Sequence, residues 1–377
     1  VMPENDAMSQ IDLSNSRLLA PMTFRNGRTA PNRVWVAPMT NKASHPDGTL
    51  SDDEFGFLVA RAAGGFGVVE TCASHVTPDG QAWPGELAMY DDVHVPGWRR
   101  LAEAHRREGA ILIGQAFHGG MRTLRGDGRP TPWSCSPSGA DAPPDEAVRE
   151  GTPEDFERVI AAFAAAARRL ESAGVDGVEL HGAHGYLLSQ FQSAELNRRT
   201  DEWGGSLEHR ARLIRRTMQA TRAAVSDDFI VGVRLSPESS PSLPGIDLDE
   251  TLQVARWMCD DGADFIHISL WDAEQMTTKR PGEHAARIFR DALPAQVPLI
   301  TAGNIWTEDD ALAQLDHGAD AVALGRAAIT NPDWPRHVVA RGGTPKRPPV
   351  TSDELRARAL GPVFVDYMRR WEGFVSD

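Results

Sequence analysis

The feature that most constrains the fold is the regular alternation of short apolar segments with longer amphipathic ones. Eight apolar runs recur between residues 33 and 326, each rich in β-branched residues and bounded by Gly, Pro or Asp. They are RVWVAPMT (33–40), GFGVVETCA (65–73), AILIGQAFH (110–118), GVDGVELHG (174–182), FIVGVRLSP (229–237), FIHISLW (265–271), VPLITAGN (297–304) and DAVALGR (320–326). Such runs are typical of strands buried on both faces, as in a parallel sheet.

Amphipathic segments with recognisable ends separate these runs. One helix is predicted from Asp52 to Ala63, before Gly64-Gly65, and another from Thr152-Pro153 to Gly174. Further helices are predicted at 98–108, 206–225, 248–261, 283–293, 307–317 and 332–341. Eight strand–helix units in succession predict an α/β fold, the (β/α)8 TIM barrel. The rival doubly wound sheet usually carries a GxGxxG phosphate turn, and this sequence has none.

Three segments are predicted around this pattern. They are a flexible N-terminal tail (1–16), an FMN-binding barrel (17–341) and a C-terminal extension (342–377), the cofactor being implied by a resemblance given below. Asn26-Gly27 predicts a two-residue hairpin turn within 20–33, covering the bottom of the barrel. In the extension a helix is predicted from Asp353 to Trp371, and Trp371 either packs locally or reaches a neighbouring subunit. The long connection 119–151 is expected to shape or cover a site.

Charge and cysteine content limit the partners. The 377 residues carry a formal net charge of −14, which argues against nucleic acid and anionic membranes because both require clustered Lys and Arg. Three widely spaced cysteines without a CxxC pair indicate a reduced protein with no metal cluster. No apolar stretch has membrane-spanning length, and the N-terminus is polar and acidic. We therefore expect a cytoplasmic protein with small-molecule partners; homo-oligomerisation stays open.

Polar residues follow most of the apolar runs, at the strand ends where TIM barrels carry their chemistry. They are Pro38-Met39-Thr40, Glu70-Thr71, Gln115, His118, His181, His184, Tyr186, Arg234, Ser269, Gly303-Asn304 and Gly325-Arg326. The last two pairs combine glycine backbone with a guanidinium, which favours a phosphate site. Arg234 needs an acidic partner, which is either Glu179 in a structural ion pair or an anionic ligand.

The segment HGAHGYLLSQF (181–191) is the richest in chemistry. Its two histidines are interpreted in three ways: as hydrogen-bonded structural residues, as part of a zinc site with no obvious third ligand, or as donors to one substrate oxygen. In the third interpretation Tyr186 is a nearby proton donor.

These residues resemble those of the old yellow enzyme family of flavin oxidoreductases, from about residue 17 to about residue 342. The most specific segment is HGAHGYLLSQFQSAELNRRTDEWGGSLEHRARL (181–213). NRVWVAPMT, GIDLDETL and TAGNIWTEDDALAQLDHGADAVALGRAAITNPDW agree with the family in order and spacing. The resemblance implies FMN across the barrel mouth, with NADPH or NADH as a transient reductant and no metal.

The resemblance also implies a role for each matching residue. The residues that would hold FMN are Pro38, Met39, Thr40, Thr71, Gln115, Arg234, Gly303, Asn304, Gly325 and Arg326. Gln115 would bond the pyrimidine edge, Arg234 would lie near N1 and O2, and the last four would hold the phosphate. His181 and His184 would bind a carbonyl or nitro oxygen, and Tyr186 would protonate the α-carbon. Thr40 and Lys42 depart from one branch of the family, which has cysteine and an aromatic residue there.

The leading hypothesis is therefore an FMN-dependent ene-reductase, which passes hydride from NAD(P)H through FMN N5 to the β-carbon of α,β-unsaturated carbonyl or nitro compounds. A relative of the larger dienoyl-CoA reductases or amine dehydrogenases would need a cysteine-ligated iron–sulfur cluster, for which three scattered cysteines are a poor match. A phosphate-binding barrel of the aldolase or isomerase type, without flavin, would need a Schiff-base lysine or a metal–carboxylate cluster, and neither is evident. A non-catalytic flavin carrier would leave the His–His–Tyr set without a role.

Overall fold

Eight parallel strands close into a barrel in the computed structural model, which describes residues 16–126, 128–139 and 142–377. The strands are β1 (Met22–Thr23), β2 (Thr29–Ala30), β3 (Val34–Val36), β4 (Val68–His75), β5 (Ile111–Phe117), β6 (Trp133–Ser134), β7 (Arg149–Glu150), β8 (Gly177–Gly182), β9 (Ile230–Leu235), β10 (Phe265–Ser269), β11 (Leu299–Ala302) and β12 (Ala321–Leu324). The barrel order is β3-β4-β5-β8-β9-β10-β11-β12, and β12 pairs with β3. Each apolar run supplies one barrel strand, so the predicted TIM barrel is confirmed. The predicted tail, 1–16, lies outside the described residues except for Ser16.

Helices follow the barrel strands. They are α1 (Asp52–Ala63), α2 (Val95–Glu108), α3 (Pro153–Ala173), α4 (Leu187–Gln192), α5 (Leu207–Arg210), α6 (Arg212–Ala224), α7 (Leu248–Asp260), α8 (Ala285–Ala292), α9 (Glu308–Asp316), α10 (Arg326–Thr330), α11 (Ser352–Ala357) and α12 (Pro362–Met368). The Thr152 hydroxyl and the Asp155 carboxylate form the capping box that starts α3. No helix among the described residues is long and apolar enough to cross a membrane.

Three predicted helices differ from the observed ones. The helix predicted at 206–225 is interrupted at Ala211, between α5 and α6. The helix predicted at 332–341 is one π-helical turn, Pro335–Val339, in which the Ala340 amide bonds the Pro335 carbonyl. The single helix predicted from Asp353 to Trp371 is two, α11 and α12. Proline disfavours helical backbone at the residue before it, so the extended Gly361 separates them and Pro362 begins α12.

The N-terminal hairpin of β1 and β2 closes the bottom of the barrel. Its turn has three residues rather than the predicted two, because the Phe24 amide bonds the Arg28 carbonyl and the Gly27 amide bonds the Phe24 carbonyl. Gly27 has φ +88°, the left-handed conformation that such a turn requires at its third position. Phe24 packs against Trp35 and Phe265 with ring centroids 5.6 and 5.8 Å away.

The barrel interior changes from apolar to polar along the strands. At the lower levels Val68, Ile113 and Phe265 belong to an apolar cluster with the hairpin. Side chains alternate between the two faces of a strand, so the residues two positions later, Glu70, Gln115 and His267, also face the interior. The polar level therefore lies toward the C-terminal ends of the strands.

The C-terminal extension packs against the first and last barrel helices. The Phe364 ring lies 5.0 Å from the Phe57 ring of α1, and Arg358 Nε donates to the Thr330 carbonyl at the end of α10. The Val350 amide bonds the Phe374 carbonyl, which closes the extension on itself. These contacts bring α12 beside the mouth of the barrel.

Acid is expected to weaken the fold through buried histidines. Burial lowers the pKa of His105 to about 4, whereas the same side chain in an unfolded chain binds a proton below its ordinary value of 6.5. Stability is therefore lost as the pH falls through 6.5, and at pH 5 the loss from this one residue is about 2 kcal/mol. Urea unfolding at pH 7.5 and pH 5 measures it. His105→Gln should reduce the difference, whereas the same change at the exposed His45 should not.

Candidate active site

A cavity of about 540 Å³ opens at the C-terminal ends of β3, β9, β10, β11 and β12. Among its lining residues are Pro38, Met39, Thr40, Arg234, Gly303, Asn304, Gly325 and Arg326. The sequence analysis selected all of these. They come from four separate strand ends, and barrel closure brings them together because parallel strands all end on the same side.

Backbone rather than side chain forms the rim after β11 and β12. Asn304 has φ +52°, and its Oδ1 accepts from Arg326 Nη2 at 2.8 Å. A Cβ added to Gly325 would meet only Met39 Sδ, at 3.7 Å, so the backbone there faces open space. Gly325 has no side chain to accept from the first N–H groups of α10. Backbone N–H groups beside a guanidinium suit an anionic oxygen, and the phosphate site predicted from the sequence at these residues stays a prediction.

The Arg61 side chain of α1 holds α10 in position. Its guanidinium is fully buried and donates from Nε to the Ala328 carbonyl at 3.1 Å and from Nη2 to the Ile329 carbonyl at 3.0 Å. Carbonyls at the end of a helix lack partners within the helix, so Arg61 satisfies two that would otherwise be unpaired. The sequence analysis did not identify this residue.

His181, His184 and Tyr186 form one cluster after β8. The His181 ring centroid lies 5.1 Å from those of His184 and Tyr186. His184 Nε2 lies 2.7 Å from Ser269 Oγ, whereas His181 Nδ1 has no partner among the residues that the structure describes. The cluster lies beside the cavity lining, to which it connects through Ser269 and Arg234. The sequence analysis expected the three side chains to lie close together, and they do.

Both histidines are neutral near pH 7. Burial lowers the pKa of His181 well below its usual value, and the proximity of His184 and Arg234 lowers it further. For His184 burial again comes first, followed by the charge of Arg234. Burial also raises the pKa of Tyr186, so its hydroxyl stays protonated. The cluster therefore offers uncharged hydrogen-bond donors and one phenolic proton.

Arg234 contacts a hydroxyl, and among the described residues no carboxylate oxygen lies within 4.0 Å of its guanidinium nitrogens. Nη2 donates to Ser269 Oγ at 3.0 Å, and Nε has no partner within the described ranges. Ion pairing within 4.0 Å of Glu179, one of the two alternatives for Arg234, is not observed between these described residues. Burial lowers the pKa of Arg234, while the charges of Glu179 and Glu70 act in the opposite direction.

Thr71 and Gln115 lie outside the cavity lining. Gln115 Nε2 donates to Glu179 Oε1 at 2.7 Å, and Thr71 Oγ1 donates to the Cys72 carbonyl at 3.0 Å. The register of β4 shifts between Glu70 and Ala73, which places Thr71 at an irregularity of the strand. Both side chains are buried at the β4–β5 side of the barrel mouth.

The sequence predicts that the 119–151 connection shapes or covers a site, but it does not predict which side chains the extension and two loops bring there. Tyr367, Met368 and Trp371 from around α12 line the cavity, so Trp371 reaches the site of its own chain. Lys42 Nζ lies 5.3 Å from the centre of the Tyr367 ring. In the 119–151 connection the Arg122 guanidinium lies 5.5 Å from the centre of the Tyr186 ring and donates to the His184 carbonyl at 3.1 Å. No local sequence signal marks these residues as neighbours of the site.

Comparison with known proteins agrees with this geometry. The profile of the NADH:flavin oxidoreductase / NADH oxidase family matches residues 17–342. The chain belongs to this family. It is 38% identical over 323 residues to a probable NADH-dependent flavin oxidoreductase of Bacillus subtilis, covering 84% of this chain and 86% of that protein. It is 36% identical over 342 residues to an NADH:fumarate oxidoreductase of Klebsiella pneumoniae, covering 87% of this chain but 36% of that longer protein.

Solved structures agree with this family. An old yellow enzyme homologue from Zymomonas mobilis superposes with a TM-score of 0.79 at 25% identity, covering 93% of this chain and 99% of that one. Morphinone reductase superposes with a TM-score of 0.80 at 25% identity, covering 94% of this chain and 96% of that one. Two further relatives of the present chain are named NADPH dehydrogenase. The chain is an NAD(P)H-dependent flavin oxidoreductase with FMN as its cofactor, and the hypothesis of a flavin-free barrel is therefore wrong.

Proposed function

We propose that this flavin oxidoreductase is an ene-reductase for α,β-unsaturated carbonyl or nitro compounds. The observation that carries the proposal is the pair of neutral histidines beside a protonated tyrosine, next to a cavity that ends in a glycine-rich rim. Such a set polarises an oxygen and supplies one proton, which are the two functions that reduction of an activated C=C bond requires from the protein.

The residues around the cavity fit FMN. The rim of Gly303, Asn304, Gly325 and Arg326 would hold the phosphate. Pro38, Met39 and Thr40 would line one side of the ring system, with Thr71 and Gln115 at its edge and Arg234 near N1 and O2. The unpartnered Arg234 Nε supports this arrangement, because a buried guanidinium donor needs an acceptor. In this proposal residues 17–341 form the FMN-binding unit, and the extension (342–377) completes the cavity wall.

His181 and His184 would bind the substrate's carbonyl or nitro oxygen. Arginine only donates, so Ser269 Oγ accepts from Arg234 and its own proton is available for His184 Nε2. His184 then presents Nδ1–H, and His181 would donate a ring N–H to the same oxygen. Neutral donors stabilise negative charge as it develops on the oxygen, without an ion pair that would hold the product.

Tyr186 would deliver the proton to the α-carbon. Arg122 beside its ring favours the phenolate that remains, since the guanidinium charge opposes the increase that burial causes in the Tyr186 pKa. When bound, FMN would supply the two-electron chemistry by which a hydride of NAD(P)H reaches the β-carbon of the substrate. Hydride and the Tyr186 proton together add two hydrogens across the C=C bond, and solvent reprotonates Tyr186.

An anaerobic visible spectrum of the purified protein tests this proposal. Flavin bands should bleach when NADPH is added and return when 2-cyclohexenone follows. If the bands bleach but neither 2-cyclohexenone nor 1-nitrocyclohexene restores them, the ene-reductase assignment is wrong although the flavin enzyme remains. Oxygen is excluded because it would reoxidise the flavin without a substrate.

Loss of the Arg326 guanidinium should weaken retention of FMN. Arg326→Leu removes one charge-assisted hydrogen bond to the phosphate, so the FMN dissociation constant should rise about 10- to 100-fold. Fluorescence titration of the apoprotein with FMN measures this constant. Arg341→Leu, at an exposed position outside the cavity lining, is the matched control and should bind FMN as the wild type does. Equal binding by both variants would remove Arg326 from the phosphate site.

A further inference from the structure

Five polar side chains form a polar level inside the barrel that extends up to the histidine pair. Glu70, Gln115, Glu179, Arg234 and His267 come from β4, β5, β8, β9 and β10 respectively. Gln115 is in register with Glu179, and Arg234 with His267. All five are buried, and Glu179 and His267 have no exposed surface. His181 follows Glu179 by two residues on the same face of β8 and is in register with Arg234, at the upper edge of this level.

The two carboxylates of this level have unequal surroundings. Glu179 accepts from Gln115 Nε2 at 2.7 Å, and its second oxygen lies 2.8 Å from His267 Nδ1. Within the described part of the chain no side chain donates to either oxygen of Glu70, whose Oε2 lies 3.8 Å from His267 Nδ1. A buried negative charge needs donors, so the charge belongs on Glu179 and the proton on Glu70.

Charge balance supports the same assignment. Burial raises the pKa of Glu70 well above its usual value, and the charge of Glu179 adds to this, while Arg234 opposes it. Burial lowers the pKa of His267, so the imidazole is neutral. One negative charge on Glu179 then balances the positive charge of Arg234. His181 and His184, at the upper edge of this level, are neutral as well.

We propose that Glu179 is a positioning residue that lowers the reduction potential of bound FMN through Arg234 and Gln115, and that Glu70 carries a proton beneath it. A carboxylate only accepts hydrogen bonds, so Glu179 holds the Gln115 amide with its nitrogen toward the carboxylate. The Oε1 atom of Gln115 is then left for the cofactor. Glu179 also partly cancels the positive charge of Arg234, which would otherwise stabilise negative charge on the reduced cofactor. This inference depends on the placement of FMN beside Arg234 that we propose above.

A metal ion is the alternative occupant of this level. Glu70, Glu179 and His267 each bring one ligand-type atom to within 4.8 Å of the others. The Arg234 charge influences both carboxylates, however, and a divalent cation there would be repelled. We therefore favour a proton on Glu70, and the metal becomes one outcome of the test.

Two isosteric variants distinguish the carboxylates. In Glu179→Gln the charge of Arg234 is no longer balanced, so the equilibrium between oxidised and reduced flavin should shift toward the reduced form at least tenfold, which is about 30 mV for a two-electron couple. Glu70→Gln replaces one neutral group by another and should shift the equilibrium between oxidised and reduced flavin several-fold less. Spectroelectrochemical titration at pH 7 measures both. A shift in Glu70→Gln as large as that in Glu179→Gln, or none in Glu179→Gln, overturns the proposal.

Further variants separate charge from packing. Glu179→Asp keeps the charge and should stay close to the wild-type potential. Asp264→Asn removes a buried carboxylate at the opposite end of β10 and should leave the potential unchanged. Infrared difference spectra of wild type and Glu70→Gln should show loss of one protonated carboxyl band in apoprotein as well as holoenzyme. The proposal is overturned if this band is absent, or if the wild-type protein contains stoichiometric metal that the Glu70→Gln variant lacks. Both outcomes can be read even if the placement of FMN fails.

Discussion

Enzyme carrying Tyr186→Phe is expected to reduce 2-cyclohexenone about 10²- to 10⁴-fold more slowly, the range that a positioned general acid contributes. Its reduction by NADPH should proceed nearly as in the wild type, because hydride transfer from the nicotinamide needs no proton from the protein. The substitution removes one oxygen from a side chain that packs against Phe117 and His181, so the ring contacts remain. Anaerobic stopped-flow measurement of the two half-reactions separates the effects.

Tyr90→Phe is the matched control for this experiment. Tyr90 is half-buried against His75 and His94 and does not line the cavity, so loss of its hydroxyl should leave both half-reactions unchanged. Equal slowing of both half-reactions in Tyr186→Phe would eliminate Tyr186 as the proton donor, and the residue would then be assigned to packing or to flavin binding.

The fold was predictable because its determinants are local in sequence. The run FIVGVRLSP contains the whole of β9. The Thr152 hydroxyl at the start of α3 accepts from the Asp155 amide, only three residues away. Two predicted details of the fold were wrong although a local sequence signal was present at each. Gly361-Pro362 marks a helix boundary that the sequence analysis passed over, and Asn26-Gly27 lies in a three-residue turn rather than a two-residue one.

The candidate site was predictable only as far as strand ends determine it. Closing a parallel barrel brings every strand end to one side, so Arg234 and Arg326, distant in sequence, both line the cavity. Tyr367 and Arg122 reach the site through an extension and a long connection, whose paths no periodicity specifies. The inward position of His267 follows from alternation along β10, but its pairing with Glu179 depends on the register of β8, β9 and β10.

The double variant His181→Ala/His184→Ala is expected to lose phenol binding and most enone reduction. In our proposal both imidazoles donate to one substrate oxygen, and removal of a single such donor typically costs about 10²- to 10³-fold in rate. The phenolate oxygen of an inhibitor would use the same donors, so the change that it causes in the flavin spectrum should disappear. Titration with 4-hydroxybenzaldehyde, followed in the visible region, measures this directly.

The chain contains a second adjacent histidine pair that serves as control. His284 and His317 stack with ring centroids 3.9 Å apart, and neither lines the cavity. His284→Ala/His317→Ala removes the same atoms elsewhere, and phenol should still perturb the flavin spectrum there. If phenol also perturbs the spectrum of His181→Ala/His184→Ala, the oxygen is bound by other groups. Ser269 Oγ, which lies 2.7 Å from His184 Nε2, and Tyr186, whose ring centroid lies 5.1 Å from that of His181, would then be the remaining candidates. If Tyr186 bound the oxygen, it would not be the group that protonates the carbon.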